Sequence, residues 1–218
     1  MLLLAIDTST SAITVGLHGT PHPVTATVID ARAHTEHVAP LIERCLATAG
    51  VTPADVTDVV VGTGPGPFTG LRVGVVTGLV FAHARGIPVH GVCSLDALAA
   101  VAAQQVGDGD LLVATDARRK EVYWSRYAVR AGRATRLTDP AVDRPGDLPA
   151  DLRALPTAGR GPVLYPDLFA NPLDVLDVDA AALAQVATEG IHDGIPMPVE
   201  PLYLRRPDAL TTAERARA

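Results

Sequence analysis

The sequence is short of most features that mark a secreted, membrane-spanning or nucleic-acid-coating chain. It has two cysteines in 218 residues, Cys45 and Cys93, far apart and without a histidine at metal-ligand spacing. A secreted chain of this size more often carries a denser disulfide framework, so the pair predicts a reducing compartment. Basic side chains are outnumbered eighteen to twenty-four, for a formal charge of −6. That balance argues against a free-standing nucleic-acid binder, though not against a local patch. No apolar run approaches the ~20 residues that span a bilayer. Met1 to Ile6 carries no basic residue before Asp7, unlike a secretory leader. These absences predict a cytoplasmic protein with no membrane partner. No Gly-x-Ser-x-Gly, paired-cysteine motif or other nucleophile signature appears, and Cys93 reads as a small core residue.

Hydrophobic residues at 48% and charged residues at 19% describe an ordinary globular chain, long enough for one large domain or two small ones. Leu2 to Asp7, Ala12 to Leu17 and Val24 to Ile29 read as three strands joined by tight turns. Val38, Leu41, Ile42, Cys45, Leu46 and Ala49 recur at helical spacing and Gly50 ends the pattern; Pro40 inside it implies a kink or a nearby start. Asp58 to Val61 is a buried strand. A glycine-rich loop, Gly62 to Gly70, opens a helix over Leu71 to Arg85, followed by a strand over Ile87 to Val92. Ser94 is placed to cap a third helix reaching about Gln105.

Near the midpoint the pattern restarts. Leu3-Leu4-Ala5-Ile6-Asp7 matches Leu112-Val113-Ala114-Thr115-Asp116 at an offset of 109, and beyond the turn Ile13 and Val15 match Val122 and Trp124 at the same offset. The expected class is therefore α/β: a duplicated actin-like (ribonuclease H-like) fold of two lobes with mixed sheets, the second lobe reduced. Residues 1–105 form the first lobe and 106–218 the second. Prolines recur from Asp139 to Pro172, which precludes long elements there. A helix near Asp179 to Glu189, an extended piece at Pro201 to Arg205 and a frayed or helical tail from Ala213 complete the reading.

Gly64, Gly66, Thr69, Gly70 and Arg72 define the sharpest local motif, between a strand and a helix, where backbone N–H groups hold anions. It lacks Gly-Lys-Ser/Thr and misses the dinucleotide spacing by one residue, and Pro65 and Pro67 delete two donors. A structural turn is favoured over a phosphate cradle. Asp7 and Asp116 are candidates for a vestigial nucleotide site, but the turn after Asp7 has no glycine for phosphates to approach, so a turn-capping role is preferred. His34 and His37 share a helix face without a third ligand. The helix from Leu71 is apolar all round, with Gly70, Gly74, Gly78 and Ala82 four apart, so it needs cover on two sides. We expect Leu41, Ile42, Cys45 and Leu46 from one helix, with Val75, Val76, Leu79, Val80 and His83 from the other, to form a partner surface. Arg118, Arg119, Lys120, Arg126, Arg130, Arg133 and Arg136 concentrate positive charge, read as a solvated face or a local RNA-facing patch.

Four stretches occur in order: Met-Leu-Leu-Leu-Ala-Ile-Asp7-Thr-Ser-Thr, Gly64-Pro-Gly-Pro-Phe-Thr-Gly-Leu-Arg72-Val-Gly74, Asp116-Ala-Arg-Arg-Lys-Glu-Val-Tyr123 and Pro201-Leu-Tyr-Leu-Arg205. Together they resemble the bacterial TsaB family of tRNA threonylcarbamoyladenosine synthesis over nearly the whole chain. The chain departs from that pattern at Pro67, where Ser is usual, and at Lys120, where Gly is common. The resemblance implies an actin-like subunit without catalysis or a cofactor of its own. It implies binding through the two first-lobe helices to a catalytic paralogue, TsaD, with an ATPase, TsaE, joining the complex, and a homodimer when alone. It implies indirect or weak contact with tRNA, whose adenosine beside the anticodon receives threonylcarbamoyl on N6. The paralogue's His-x-x-x-His metal motif falls here on Gly91 and Leu95, which supply no imidazole. The alternative reading is an active actin-like kinase or ATPase with nucleotide between Asp7 and Asp116.

Overall fold

The computed structural model describes residues 1–30 and 34–205; the expected tail from Ala213 lies outside the described residues. The first half runs β1 (Leu3–Asp7), β2 (Ala12–His18), β3 (Val24–Ile29), α1 (His34–Ala49), β4 (Asp58–Gly62), α2 (Phe68–Arg85), β5 (Val89–Val92) and α3 (Ser94–Ala102). The second runs β6 (Gly109–Asp116), β7 (Val122–Arg130), β8 (Arg133–Arg136), β9 (Ala141–Asp143), α4 (Ala150–Arg153), β10 (Pro156–Ala158), α5 (Gly161–Leu164), β11 (Asn171–Pro172) and α6 (Ala180–His192). No helix among the described residues is long and apolar enough to cross a membrane.

The two sheets repeat one plan. The first has the order β3-β2-β1-β4-β5 and the second β8-β7-β6-β10-β11, with β9 paired to β7. In each, an antiparallel meander supplies one side and parallel strands the other. Parallel neighbours require a crossover, which is why α1 lies between β3 and β4 and α2 between β4 and β5. The repeat is not in constant register. Asp7 pairs with Thr14 and Asp116 with Val122, so an offset of 109 on the first strand (116 − 7) becomes 108 on the next (122 − 14). The second turn is one residue shorter, and the match of Ile13 to Val122 seen in sequence is corrected to Thr14.

The layers follow from which faces are apolar. β1 is buried at every position, because helices cover both faces of the first sheet. On one side α1 and α2 pack through Val38, Leu41, Ile42, Leu46, Leu71 and Val75 onto Ile6, Val15, Val59 and Val61. On the other, α3 and α6 lie between the sheets, joining Leu3, Ala5 and Val60 to Leu111, Val113 and Val129 in one core. Asp179 caps α6 by accepting from Ala181 N. α6 comes from the second half of the sequence, yet Ala180 N donates to Thr14 Oγ1 at 3.3 Å. The division at residue 105 therefore separates the sheets but not the helical layer between them. Outside the second sheet, the Pro-rich segment contributes only short pieces, closing over Leu112 and Val122 with Leu148 and Phe169.

Several boundaries move for local reasons. α2 starts at Phe68 rather than Leu71: Pro67 occupies its N-cap, where no N–H is needed, so Thr69 and Gly70 form its first turn. α1 starts at His34, leaving exposed Pro40 within the helix. β5 begins after Pro88, and α3 stops at Ala102. Pro201 to Arg205 adopts no regular element.

The glycine stripe of α2 turns inward. A Cβ at Gly78 would sit 2.2 Å from Val61 Cγ1, so the helix axis lies closer to β4 than any side chain permits. Gly78→Ala should gain ~1 kcal/mol of helix propensity and lose more to that overlap, for a net destabilisation of about 1–3 kcal/mol. A rise in the urea midpoint of this variant would refute the close packing.

Candidate functional site

The turn between β1 and β2 is the most connected polar element. Asp7 Oδ1 accepts from Ser9 N and Ser9 Oγ, both at 2.8 Å, and Oδ2 accepts from Ser94 Oγ at 2.6 Å. Ser94 Oγ in turn accepts from Gly64 N. Ser94 is therefore the first residue of α3, after Cys93 at the N-cap, and its hydroxyl serves Asp7 instead of capping. Asp7 is fully buried, and that burial raises its carboxyl above the ordinary value of 3.8, against the lowering pull of the Ser94 and Ser9 hydrogen bonds. Next to it, Thr8 Oγ1 donates to Gly70 O at 2.7 Å and accepts from Gly74 N at 2.9 Å. Those two α2 groups would otherwise bond each other. A Cβ on Gly74 would lie 2.5 Å from the Thr8 hydroxyl, so glycine there is what admits the threonine.

Asp116 repeats the turn-capping half of this arrangement: its Oδ1 accepts from Arg118 N at 2.7 Å, the same two-residue reach as Asp7 to Ser9. The turn-capping preference for both aspartates agrees with these bonds. Between the two turns, Ser9, Thr10, Pro67, Asp116, Arg160 and Asp177 close to a space of about 10 Å³, room for about one water. Ligand pockets run to several hundred Å³, so this space by itself does not seat a nucleotide.

The glycine-rich motif divides. Gly64 and Gly66 are buried: Gly64 N bonds Ser94, and a Cβ on Gly66 would strike Ser9 O at 2.4 Å. This is a packed turn. Thr69 and Arg72, grouped with it in sequence, instead point outward. The Arg72 guanidinium lies 3.6 Å over the Phe68 ring, and its Nε donates to Tyr203 Oη at 3.0 Å.

The expected partner surface is corrected by burial. Leu41, Ile42, Cys45, Leu46 and Val75 belong to the chain's own core: α1 turns the first four inward, where Cys45 Sγ reaches Val15 O at 3.5 Å, and α2 turns Val75 inward. α1 turns Glu36, Glu43 and Arg44 to solvent. On α2, Val76, Leu79 and Val80 are 54%, 39% and 61% exposed, with His83 beyond them. Phe68 and Tyr203 extend that apolar strip toward the start of α2. Sequence periodicity missed Tyr203 because it reaches the strip from a segment with no repeat of its own.

The other candidates disperse. His34 is buried with Nε2 3.4 Å from Thr10 O, while His37 faces Asp30 at 3.6 Å; among the described residues no group of three metal-ligating side chains forms. Cys93 is buried and its thiol is pushed up to about 12, chiefly by burial. Leu95 is in the core, and Gly91 N donates to Met197 O. Part of the basic stretch is paired with acids: Arg118 with Asp116, Arg126 with Asp110, Arg133 with Glu189 and Arg136 with Asp96. Arg118, Arg119 and Lys120 stay together at the hairpin tip, with φ of 60°, 53° and 63°. The left-handed φ at Lys120 is the backbone state that glycine adopts without cost.

Three comparisons bear on this geometry. The family model described as TsaD, tRNA N6-adenosine threonylcarbamoyltransferase, matches residues 26–159, more than half of the chain. An uncharacterised protein of Mycobacterium tuberculosis is 45% identical over 210 residues, covering 95% of this chain and 93% of that one. TsaB of Escherichia coli, a tRNA threonylcarbamoyladenosine biosynthesis protein, is 35% identical over 127 residues, 58% of this chain and 55% of that protein. An uncharacterised Mycobacterium leprae relative is 43% identical, and the match spans only 56% of its length. The structure of YeaZ from Pseudomonas aeruginosa superposes with a TM-score of 0.80 at 29% identity, covering 93% of this chain and 99% of that one.

Two measurements test the turn. Thr8→Val leaves Gly70 O and Gly74 N without their shared hydroxyl and should cost about 1–3 kcal/mol, whereas Thr8→Ser should lose clearly less; equal losses in urea unfolding would show that the hydroxyl is not the link. Asp7, with its folded-state pKa raised, holds its proton in the folded chain at a pH where the unfolded chain has released it. Its contribution to stability therefore falls as pH rises from 3.8 to the raised value and is flat above it. Wild type minus Asp7→Asn should show that fall; a difference independent of pH would refute it.

Proposed function

The chain belongs to the TsaB family and carries the TsaD-type domain, and from this we propose that it is the non-catalytic subunit of a complex that makes threonylcarbamoyladenosine in tRNA. In that role it grips the catalytic paralogue, TsaD, and supports the transfer of threonylcarbamoyl to N6 of the adenosine beside the anticodon. TsaE joins through the complex, and the free chain forms a homodimer through the same face.

The observation that carries this reading is the outer strip of α2. Three aliphatic side chains, Val76, Leu79 and Val80, stand more than a third exposed on one helix face. Exposed apolar clusters of this kind, flanked by polar residues, are what association buries. At one end of the strip Phe68, Arg72 and Tyr203 stack on one another, and aromatic and arginine side chains are the residue types that most often dominate binding energy.

Leu79→Glu places a charge in the centre of the strip without touching the core. Co-expressed with the catalytic paralogue, this variant should lose retention on an affinity column by tenfold or more (about 1.4 kcal/mol per tenfold) while its melting temperature stays at the wild-type value. Undiminished co-purification would overturn the docking assignment.

A further inference from the structure

Beside the docking strip, and sharing Phe68 and Tyr203 with its end, lies a second feature. A groove of about 450 Å³ opens between the start of α2 and the tip of the β6–β7 hairpin, bounded on its third side by Tyr203 to Arg205. Arg118, Arg119 and Arg205 line it together with His34, and among the described residues no Asp or Glu does. That is a local reversal of sign in a chain with a formal charge of −6. The acids lie behind the cations: Asp116 pairs with Arg118 at 3.1 Å, and Glu121 with Arg205, whose Nη1 also donates to Ala117 O at 2.9 Å. Those carboxylates hold the guanidinium groups in place from the hairpin side, leaving Arg118 54% exposed along its side chain.

Two further observations point to a ligand of opposite charge. The 18-residue α2 begins in this groove with Pro67 at its N-cap and no side-chain cap. Its first N–H groups and the positive end of its dipole therefore face the cavity. At the rim Tyr203 is 41% exposed, offering a ring for stacking beside the cations. Basic side chains that track a backbone, next to an exposed aromatic ring, are the arrangement by which proteins hold single-stranded RNA.

We propose that this groove binds the phosphodiester backbone of an RNA strand. The proposal rests on the reading above for its choice of RNA, a tRNA with adenosine beside the anticodon. It differs from the expectation of a basic face running from Arg118 to Arg136: the groove is lined by Arg118, Arg119 and Arg205, while Arg126, Arg130, Arg133 and Arg136 lie outside it.

The test is fluorescence anisotropy with a labelled, unmodified tRNA transcript and the full chain, at several salt concentrations. The double variant Arg118→Gln/Arg119→Gln should weaken binding about tenfold and lower the slope of log K against log salt by about two. Arg119→Gln alone should give part of that change, and an unchanged melting temperature shows that the hairpin is intact. A wild-type chain that does not bind the transcript, or a double variant with wild-type affinity and slope, would overturn the proposal. So would ATP that displaces the transcript equally well, phosphate for phosphate, because the groove would then take small phosphorylated ligands. Leu79→Glu separates this from the docking reading: it should keep its RNA affinity while losing the partner, and a chain that binds RNA yet never retains the paralogue leaves the groove standing and the docking role refuted.

Discussion

The buried Asp7–Thr8 pair is the constraint on which the first lobe depends. A carboxyl in a fully enclosed site is costly unless hydrogen-bonded, and here the bonds come from its own turn and from the head of α3. Thr8 does the complementary task on the other helix, standing between Gly70 O and Gly74 N inside the α2 ladder. Two adjacent residues at the end of one strand thus fix the starts of two helices. Gly64 joins the same network through Ser94, so the loop between β4 and α2 is held from below.

From that placement the outer surface of α2 follows. Gly70, Gly74 and Gly78 must face inward to let Thr8 and Val61 approach. The larger residues Val76, Leu79 and Val80 are then turned away from the sheet. α2 therefore carries aliphatic residues on both sides, Leu71 and Val75 inward with the glycines and Val76, Leu79 and Val80 outward, where a surface helix would usually be polar. α1 behaves ordinarily, with Leu41, Ile42, Cys45 and Leu46 inside and Glu36, Glu43 and Arg44 outside. The exposed apolar strip is thus the work of one helix, bordered by a charged neighbour.

The second lobe repeats the scaffold without the surface. β10 stands beside β6 as β4 stands beside β1, but the helix that follows it, α5, has four residues where α2 has eighteen. Pro162 at its start and Pro166 after it limit its extension. Asp116 keeps the turn cap of Asp7, yet the position after it is Ala117, with no hydroxyl to enter a helix. The copies share their strand order because backbone pairing needs only apolar strands and turns. They differ in what their side chains could be released to do.

The sequence alone determined the strand–turn–strand repeats, the helices of the first half, the weakness of the Pro-rich segment and the turn-capping character of Asp7 and Asp116. These are local properties, written in periodicity and turn chemistry over a few residues. Tertiary structure decided which side of α2 meets the sheet. Apolarity all round the helix carries no direction, and only the close approach of Thr8 and Val61 distinguishes Gly78 from Leu79 as the inward residue. It also decided which acids the arginines meet. Arg136 and Asp96 are forty positions apart and Arg133 and Glu189 fifty-six, distances over which charge pairing leaves no trace in the order of residues and arises when the sheets and α6 come together.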